Sequence, residues 1–109
     1  MLAAVSESLH PTAGVRVLLE RADPTPAAAG AARYLGVIFT PQARYDYTVD
    51  IAADAAVALA PIAAEPPADP RAVELLRAVA RTLGRHALAE SPPAWPRRVV
   101  RWRSLRPPA

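Results

Sequence analysis

Residues 44–51 have the sequence Arg-Tyr-Asp-Tyr-Thr-Val-Asp-Ile, in which polar and apolar side chains alternate without a break. Because successive side chains of a strand point to opposite faces of its sheet, this period of two predicts a β-strand with one solvated face. The buried face would carry two tyrosines, a valine and an isoleucine. Such a strand needs neighbours in its sheet and a cover over this tyrosine face, and the rest of the sequence has to supply both.

Three other segments predict the neighbouring strands. Residues 15–21 are rich in β-branched and apolar side chains, which favour extended structure. Residues 34–40 are apolar at both odd and even positions, which is typical of a strand covered on both faces. Residues 57–62 follow a turn-like Ala-Ala-Asp-Ala sequence, and Pro61 within them indicates an edge position or the end of the strand, because proline donates no backbone hydrogen bond.

Two segments lack a strand pattern. Residues 23–32 contain two prolines and a glycine among small residues, without a period of their own. They predict a loop that can be shortened with little change in stability. Residues 2–9 predict a short helix that ends before Pro11 and Gly14.

The sequence predicts one long helix. Asp69-Pro70 predicts its start, since aspartate caps helix N-termini and proline is tolerated at the first helical position. Over residues 71–88, placed at about 100° per residue, the apolar side chains form one continuous arc opposite the arginines. The predicted contact with the tyrosine face of the sheet is the centre of this arc, formed by Leu76, Val79 and Leu83.

The predicted fold is therefore α+β, an antiparallel meander of three to four strands with a C-terminal amphipathic helix packed on one face. We assign residues 1–90 to a single domain and residues 91–109 to a tail rich in proline, arginine and tryptophan. Within this tail, residues 97–103 fit a short strand, a helical turn or an unfolded arm, and the sequence does not decide between them.

Composition excludes several classes of protein. The chain of 109 residues has no cysteine, which excludes disulfides and thiolate chemistry. No apolar stretch reaches the roughly 20 residues that a membrane span needs, and the N-terminus lacks the pattern of a signal peptide, so we expect a cytoplasmic protein. All thirteen basic residues are arginine, which, with abundant alanine and proline, is typical of a GC-rich bacterial genome.

The sequence predicts no catalytic, metal or cofactor site. His10 has no carboxylate or hydroxyl partner at a motif spacing, and we expect a structural role for His86 because it lies at the border between the apolar and polar arcs of the helix. The four glycines are isolated, which excludes the common phosphate-binding loops. Asp46 and Asp50 share the polar face of their strand but lie about 13 Å apart, too far to share a metal ion. We expect both to pair with arginines of neighbouring strands and the protein not to be an enzyme.

Charge is distributed unevenly along the chain. Residues 1–70 have a net charge of −4 and residues 71–109 one of +7. Arg77, Arg81 and Arg85 follow one another at four-residue intervals on the helix, where like charges repel, and the tail adds five arginines beside two tryptophans. Three interpretations of this basic third remain open. It is a solvated surface whose tail folds back on the acidic half, it binds an acidic protein, or it binds nucleic acid through its arginine and aromatic side chains.

The apolar segment 34–40 raises a packing question. Only one of its faces can meet the helix, so the alternate face, with Leu35, Val37 and Phe39, needs another cover. We expect the tail to dock on a sheet rather than to extend as a free arm. The candidates for the cover are a second copy of the chain and three tail residues, Trp95, Val100 and Trp102.

Together these patterns predict a non-catalytic protein–protein interaction module, such as an adaptor, a chaperone-like protein or an accessory subunit, that self-associates as a homodimer or docks to another protein. The alternative is a nucleic-acid-binding protein that uses the arginine-faced helix and the basic tail. The predicted partner-binding residues are the alternate face of the apolar strand, the helix arginines and part of the tail: Leu35, Val37, Phe39, Arg77, Arg81, Arg85, Trp95, Arg98, Arg101, Trp102 and Arg103.

Overall fold

A computed structural model describes residues 11–22, 31–62 and 69–104, which form one sheet and one helix. In chain order the elements are β1 (Val15–Arg21), β2 (Ala32–Phe39), β3 (Arg44–Ile51), β4 (Val57–Pro61), helix α1 (Pro70–Leu88) and β5 (Arg98–Arg103). Neighbouring strands all pair antiparallel, in the order β4-β3-β2-β1-β5. The predicted α+β class is confirmed, and the described sheet has five strands rather than three or four.

The strands follow the sequence pattern closely. β1 and β3 have the predicted bounds, and β2 starts two residues early and ends at Phe39. It ends there because a tight turn begins at Thr40, whose amide donates to a carbonyl three residues later at 2.9 Å. β4 is an edge strand that ends at Pro61, as its proline predicts. The predicted helix at residues 2–9 and most of the predicted loop at residues 23–32 lie outside the described residues.

α1 begins as its sequence predicts. The Asp69 side chain accepts a hydrogen bond from the Arg71 amide at 2.9 Å, and the proline between them occupies the first turn, where an amide would have no helical acceptor. The buried side of α1 packs on the tyrosine face of the sheet. Of the three predicted anchors, Leu76 and Leu83 are buried, whereas Val79 is partly buried at the side of this contact.

Two glycines determine how closely α1 approaches the sheet. A Cβ at Gly36 of β2 would lie 2.6 Å from Val49 and 3.2 Å from Leu76, and one at Gly84 of α1 would lie 2.7 Å from Ile51. A side chain at either position would force the neighbouring core side chains to shift. Two glycines that belong to no sequence motif therefore have a packing role, because they let α1 lie directly on the strands.

β2 is buried on both faces, as its apolar sequence predicts. Tyr34 packs beneath α1 in the main core, whereas Val37 and Phe39 join Leu18 of β1 in a second, smaller cluster on the opposite face. Val37 is completely buried and Phe39 is 2% exposed. The guanidinium of Arg44 lies 5.6 Å from the centre of the Phe39 ring, so a charged side chain forms part of the surroundings of this cluster.

The tail docks on the sheet as its fifth strand. β5 pairs with β1 over six residues, from Val15 opposite Arg103 to Glu20 opposite Arg98. The expected docking is confirmed, and of the three conformations that the sequence left open for this segment the strand is the one found. The meander is thus extended on its β1 side by a strand that comes after the helix in the chain.

The tail does not act as the expected cover. Val100 is the cross-strand neighbour of Leu18, and Trp102 is that of Arg16, so both residues extend the second face sideways. Trp95 lies on the other side of the sheet, in the main core. The prediction that these residues cover the alternate face of β2 is wrong, because a strand that joins a sheet edge places its side chains beside those of its neighbour and not over them.

Candidate binding surface around the fifth strand

A short segment before β5 connects the tail to the core. The Trp95 ring is buried, and its centre lies 6.3 Å from that of the Tyr34 ring. The carbonyl of Trp95 accepts a hydrogen bond from Arg21 Nη1 at 2.8 Å, and the carbonyl of Pro96 accepts one from the Tyr34 hydroxyl. The amide of Arg21 donates to the carbonyl of Arg97 at 2.8 Å. These contacts fix where β5 begins and therefore its register against β1.

Tyr34 is the hydrogen-bond donor in this connection. Burial raises the pKa of its hydroxyl to about 12, and the nearby positive charge of Arg21 opposes this effect only in part. The hydroxyl therefore stays protonated at neutral pH and donates to the Pro96 carbonyl. The indole N–H of Trp95, by contrast, is buried without an acceptor among the described residues, which offsets part of the stabilisation that the ring provides by packing.

The outer edge of β5 is occupied by its own arginines. In an antiparallel pair every second residue directs its amide and carbonyl towards the partner strand, and the register gives this role to the odd-numbered residues of β5. The carbonyls of Val100 and Trp102 therefore point away from β1. Each accepts a hydrogen bond at 2.8 Å from the guanidinium of the next residue, Arg101 or Arg103. Charged side chains at a sheet edge protect it against the addition of another strand.

A groove lies between α1 and β5. The helix packs against β1 to β4 but makes no comparable contact with β5, and a cavity of ≈ 530 Å³ remains beside it. The helix contributes Leu75 and Val79 to its lining, and the strand contributes Val99, Arg101 and Arg103. In the part of the chain that the structure describes, the lining includes apolar, hydroxyl, imidazole and guanidinium groups but no carboxylate.

Ion pairing divides the described arginines into those with a carboxylate partner and those without one. Four ion pairs with N–O distances of 2.7 to 3.5 Å are Arg33–Asp50, Arg44–Asp46, Arg71–Asp69 and Arg77–Glu74. Six later arginines have no carboxylate partner within the described ranges: Arg81, Arg85, Arg97, Arg98, Arg101 and Arg103. The basic tail therefore does not neutralise itself on the described acidic residues.

Two details of this pairing bear on the sequence-based expectations. Asp50 pairs with Arg33 of the neighbouring strand, as expected. Asp46 instead pairs with Arg44, two residues away on its own strand, because side chains at this spacing point to the same face. In the tail, Arg98 lies opposite Glu20 in the register without forming an ion pair.

The predicted partner-binding residues do not form one surface. The alternate face of β2 lies in the second cluster, where Val37 and Phe39 are buried and Leu35 is partly buried. Arg101 and Arg103 line the groove on the other side of the sheet. Apart from the buried Trp95, the rest lie on the outer side of α1 or on the face of β5 that points away from the groove: Arg77, Arg81, Arg85, Arg98 and Trp102.

The apolar part of the groove is not evident from the sequence. The helical pattern assigns Leu75 and Val79 to the core, and the structure leaves both partly buried beside β5. One feature of the sequence could have indicated the groove: the apolar arc of α1 is wider than the part of the helix that the tyrosine face covers. The sequence could not assign Val99 to the groove, because this residue lines the groove only when β5 pairs with β1 in the observed register.

The function of this surface has to be inferred from its own geometry. No protein-family model matches the chain, and searches of curated proteins and of solved structures find no match either. Across the described ranges, no helix is both long and apolar enough to cross a membrane. Nor do three or more histidine, aspartate or glutamate side chains of these ranges come together as metal ligands would.

Proposed function

We propose that this protein is a non-catalytic protein-interaction module, an adaptor or accessory subunit, that binds an acidic partner through α1 and β5. The observation that carries the proposal is the set of six arginines without carboxylate partners among the described residues. Guanidinium groups match carboxylates in planar, bidentate geometry. An acidic protein would supply the negative charges that the described part of the chain does not bring to these arginines.

The way in which β5 is held supports this proposal. The strand is fixed by pairing with β1 and by the connection at Trp95, so its arginines occupy defined positions before a partner binds. Arg101 and Arg103 each use one guanidinium nitrogen to bond a backbone carbonyl, which leaves further N–H donors for a carboxylate. Preorganised side chains lose less conformational entropy on binding.

A different protein fits this surface better than a second copy of the chain does. In a two-fold symmetric dimer the same patch meets itself, and the arginines of the two copies would then lie against one another. Like charges at an interface weaken association. The homodimer expected from the sequence is therefore not the favoured partner for the surface formed by α1 and β5.

Nucleic acid is the second candidate, and one observation favours it. Trp102 is 47% exposed on the face of the sheet opposite α1, on the same side of β5 as Arg98. Its indole N–H donates to the carbonyl of Ala13 at 2.9 Å, which holds the ring in place. An exposed aromatic ring next to arginine can stack on a base. This ring lies on the other side of the sheet from Arg101 and Arg103, however, so the two features would not act on one ligand.

Fluorescence anisotropy with two labelled probes separates the candidates. The probes are a peptide composed of glutamate and leucine, and single-stranded oligothymidylate. We expect the peptide to bind the wild-type protein, and the variant Arg81→Gln/Arg85→Gln/Arg101→Gln/Arg103→Gln to bind it at least about tenfold more weakly. The control Arg33→Gln/Arg44→Gln removes two arginines that already have partners and should weaken binding less than about threefold.

Other results would overturn the proposal. Tighter binding of oligothymidylate than of the peptide, with an affinity that falls steeply with salt, would support the nucleic-acid alternative, because phosphate contacts release counterions. Failure of both probes to bind at low salt would show that the arginines of α1 and β5 form only a solvated surface.

A further inference from the structure

We infer that the groove between α1 and β5 binds an apolar side chain of the acidic partner, while Arg101 and Arg103 bind carboxylates that flank this side chain. The inference rests on the proposed function and specifies the partner segment: leucine- or phenylalanine-like residues among aspartates and glutamates. It follows from the shape and polarity of the groove and from the hydrogen bonds that already occupy the outer edge of β5.

The polarity of the groove indicates an apolar anchor. Leu75, Val79 and Val99 pack against the main core but are only partly buried, so an apolar group that enters the groove would remove their remaining surface from water. The cavity of ≈ 530 Å³ lies within the range of pockets that hold small molecules or side chains, about 300 to 1,000 Å³. Pockets of this kind beside charged groups favour ligands that combine an apolar body with a charge.

Two guanidinium groups set the chemistry of the groove's outer rim. Arg101 and Arg103 lie two residues apart on β5 and point to the same side of the sheet as Val99. No described carboxylate competes for either guanidinium. A segment that places acidic residues next to its apolar anchor would therefore contact both kinds of surface at once.

The edge of β5 determines how the partner segment lies. Addition of a strand would require its amides to bond the outward carbonyls of Val100 and Trp102. The guanidinium groups of Arg101 and Arg103 already donate to these carbonyls. The partner therefore lies in the groove by side-chain contacts and does not extend the sheet.

A comparison of matched variants tests this inference with a labelled peptide of alternating glutamate and leucine segments. Arg101→Gln/Arg103→Gln changes the rim of the groove, and Val79→Glu places a carboxylate in its lining. The control Arg33→Gln/Arg44→Gln removes the same charge from exposed positions of β2 and β3 that lie outside the groove. We expect each groove variant to weaken peptide binding at least about tenfold and the control less than about threefold.

A second probe, a labelled peptide of glutamate alone, separates the inference from the function on which it rests. We expect it to bind at least about tenfold more weakly than the leucine-containing peptide, because it has no apolar anchor. Equal affinity for the two peptides, or equal losses in the groove variants and the control, would overturn the groove and leave general acidic-protein binding in place. Failure of the wild type to bind either peptide would overturn both proposals.

Because Val79→Glu changes a partly buried position, its melting temperature is measured first. Arg101 and Arg103 are exposed, so their variant decides the test if Val79→Glu does not fold. Chemical-shift mapping with the leucine-containing peptide adds an independent readout. Shifts confined to Leu75, Val79, Val99, Arg101 and Arg103 support the groove, and shifts centred on the exposed ring of Trp102 would contradict it.

Discussion

Two regions of one sheet use arginine in opposite ways. Between β2 and β3, Arg33 lies opposite Asp50 and forms an ion pair with it at 2.7 Å. At β5, Arg101 and Arg103 donate to backbone carbonyls and meet no carboxylate in the described part of the chain. The comparison shows that arginine content alone does not identify a binding surface. The relevant arginines are those whose charge the rest of the protein leaves uncompensated.

The same two regions differ in how they are covered. Over β2 and β3 the helix lies close to the strands, with Leu76 beside Gly36. Beside β5 the flank of the helix, with Leu75 and Val79, borders an open groove. We expect the covered region to account for most of the stability of the fold, and the open region to account for binding. Each of the following predictions tests this division.

The largest effect is expected for the tryptophan that joins the two regions. Trp95→Ala removes a buried ring and should lower the free energy of unfolding by about 3–5 kcal/mol, whereas Trp102→Ala removes an exposed ring and should cost less than about 1 kcal/mol. Urea denaturation of both variants measures this difference. Similar costs would mean that the tail is not held through Trp95.

The two neighbouring leucines of α1 provide the next comparison. Leu76 is completely buried and Leu75 is partly exposed beside the groove. Leu76→Ala should therefore lower the free energy of unfolding by about 2–5 kcal/mol, and Leu75→Ala by clearly less. Thermal melts of the two variants measure this difference. If Leu75→Ala were as destabilising as Leu76→Ala, the division into a covered and an open region would be wrong.

The hydrogen bond from Tyr34 to the tail predicts a dependence on pH. The pKa of Tyr34 is about 12 in the folded protein against an ordinary value of 10.0, so the unfolded chain loses this proton first as the pH rises. The stabilisation is complete below pH 10 and is lost as the pH rises towards 12. Urea denaturation across this interval should show the decrease.

Tyr34→Phe is the control for this pH effect. It should cost about 0.5–1.5 kcal/mol at neutral pH, because the Pro96 carbonyl loses its donor, and it should reduce the alkaline loss of stability. The loss should not disappear completely, since burial also raises the pKa of Tyr47. An unchanged alkaline slope in the variant would show that Tyr34 does not titrate as inferred.

The smallest effect is expected for the surface ion pair of β2 and β3. Asp50→Asn leaves Arg33 without its carboxylate and should lower the free energy of unfolding by about 0.2–1 kcal/mol at low salt. Arg103→Gln, which breaks no described ion pair, should cost no more than about 0.5 kcal/mol. Urea denaturation at low and high salt measures both, and the cost of Asp50→Asn should decrease with salt.

Local periodicity predicted most of the fold, because each element carries its own pattern. The alternation at residues 44–51 and the capped apolar arc after Asp69 require no information from elsewhere in the chain. The place of β5 depends on contacts far apart in sequence, such as that between Arg21 and Trp95. For this reason the sequence of residues 97–103 alone is consistent with several conformations, and the pairing with β1 selects the strand.

Of the candidate site, the sequence predicted only the positive charge. The excess of arginine in the last third is visible in the composition, but which arginines find carboxylates depends on strand register. Arg33 meets Asp50 because β2 and β3 pair in one particular alignment. The groove depends on the joint position of α1 and β5, so neither Val79 nor Val99 could be identified from the pattern of its own segment.

The central claim is that Arg81 and Arg85 of α1 and the arginines of β5 have no carboxylate partner within the described chain. It is tested most directly by the melting temperature, at low ionic strength, of the variant Arg81→Gln/Arg85→Gln/Arg101→Gln/Arg103→Gln. We predict a value equal to or above that of the wild type, because repulsion between like charges is removed, and a difference that shrinks as added salt screens the charges. A variant that melts clearly below the wild type at low salt, with a deficit that salt removes, would show that these arginines stabilise the fold through ion pairs.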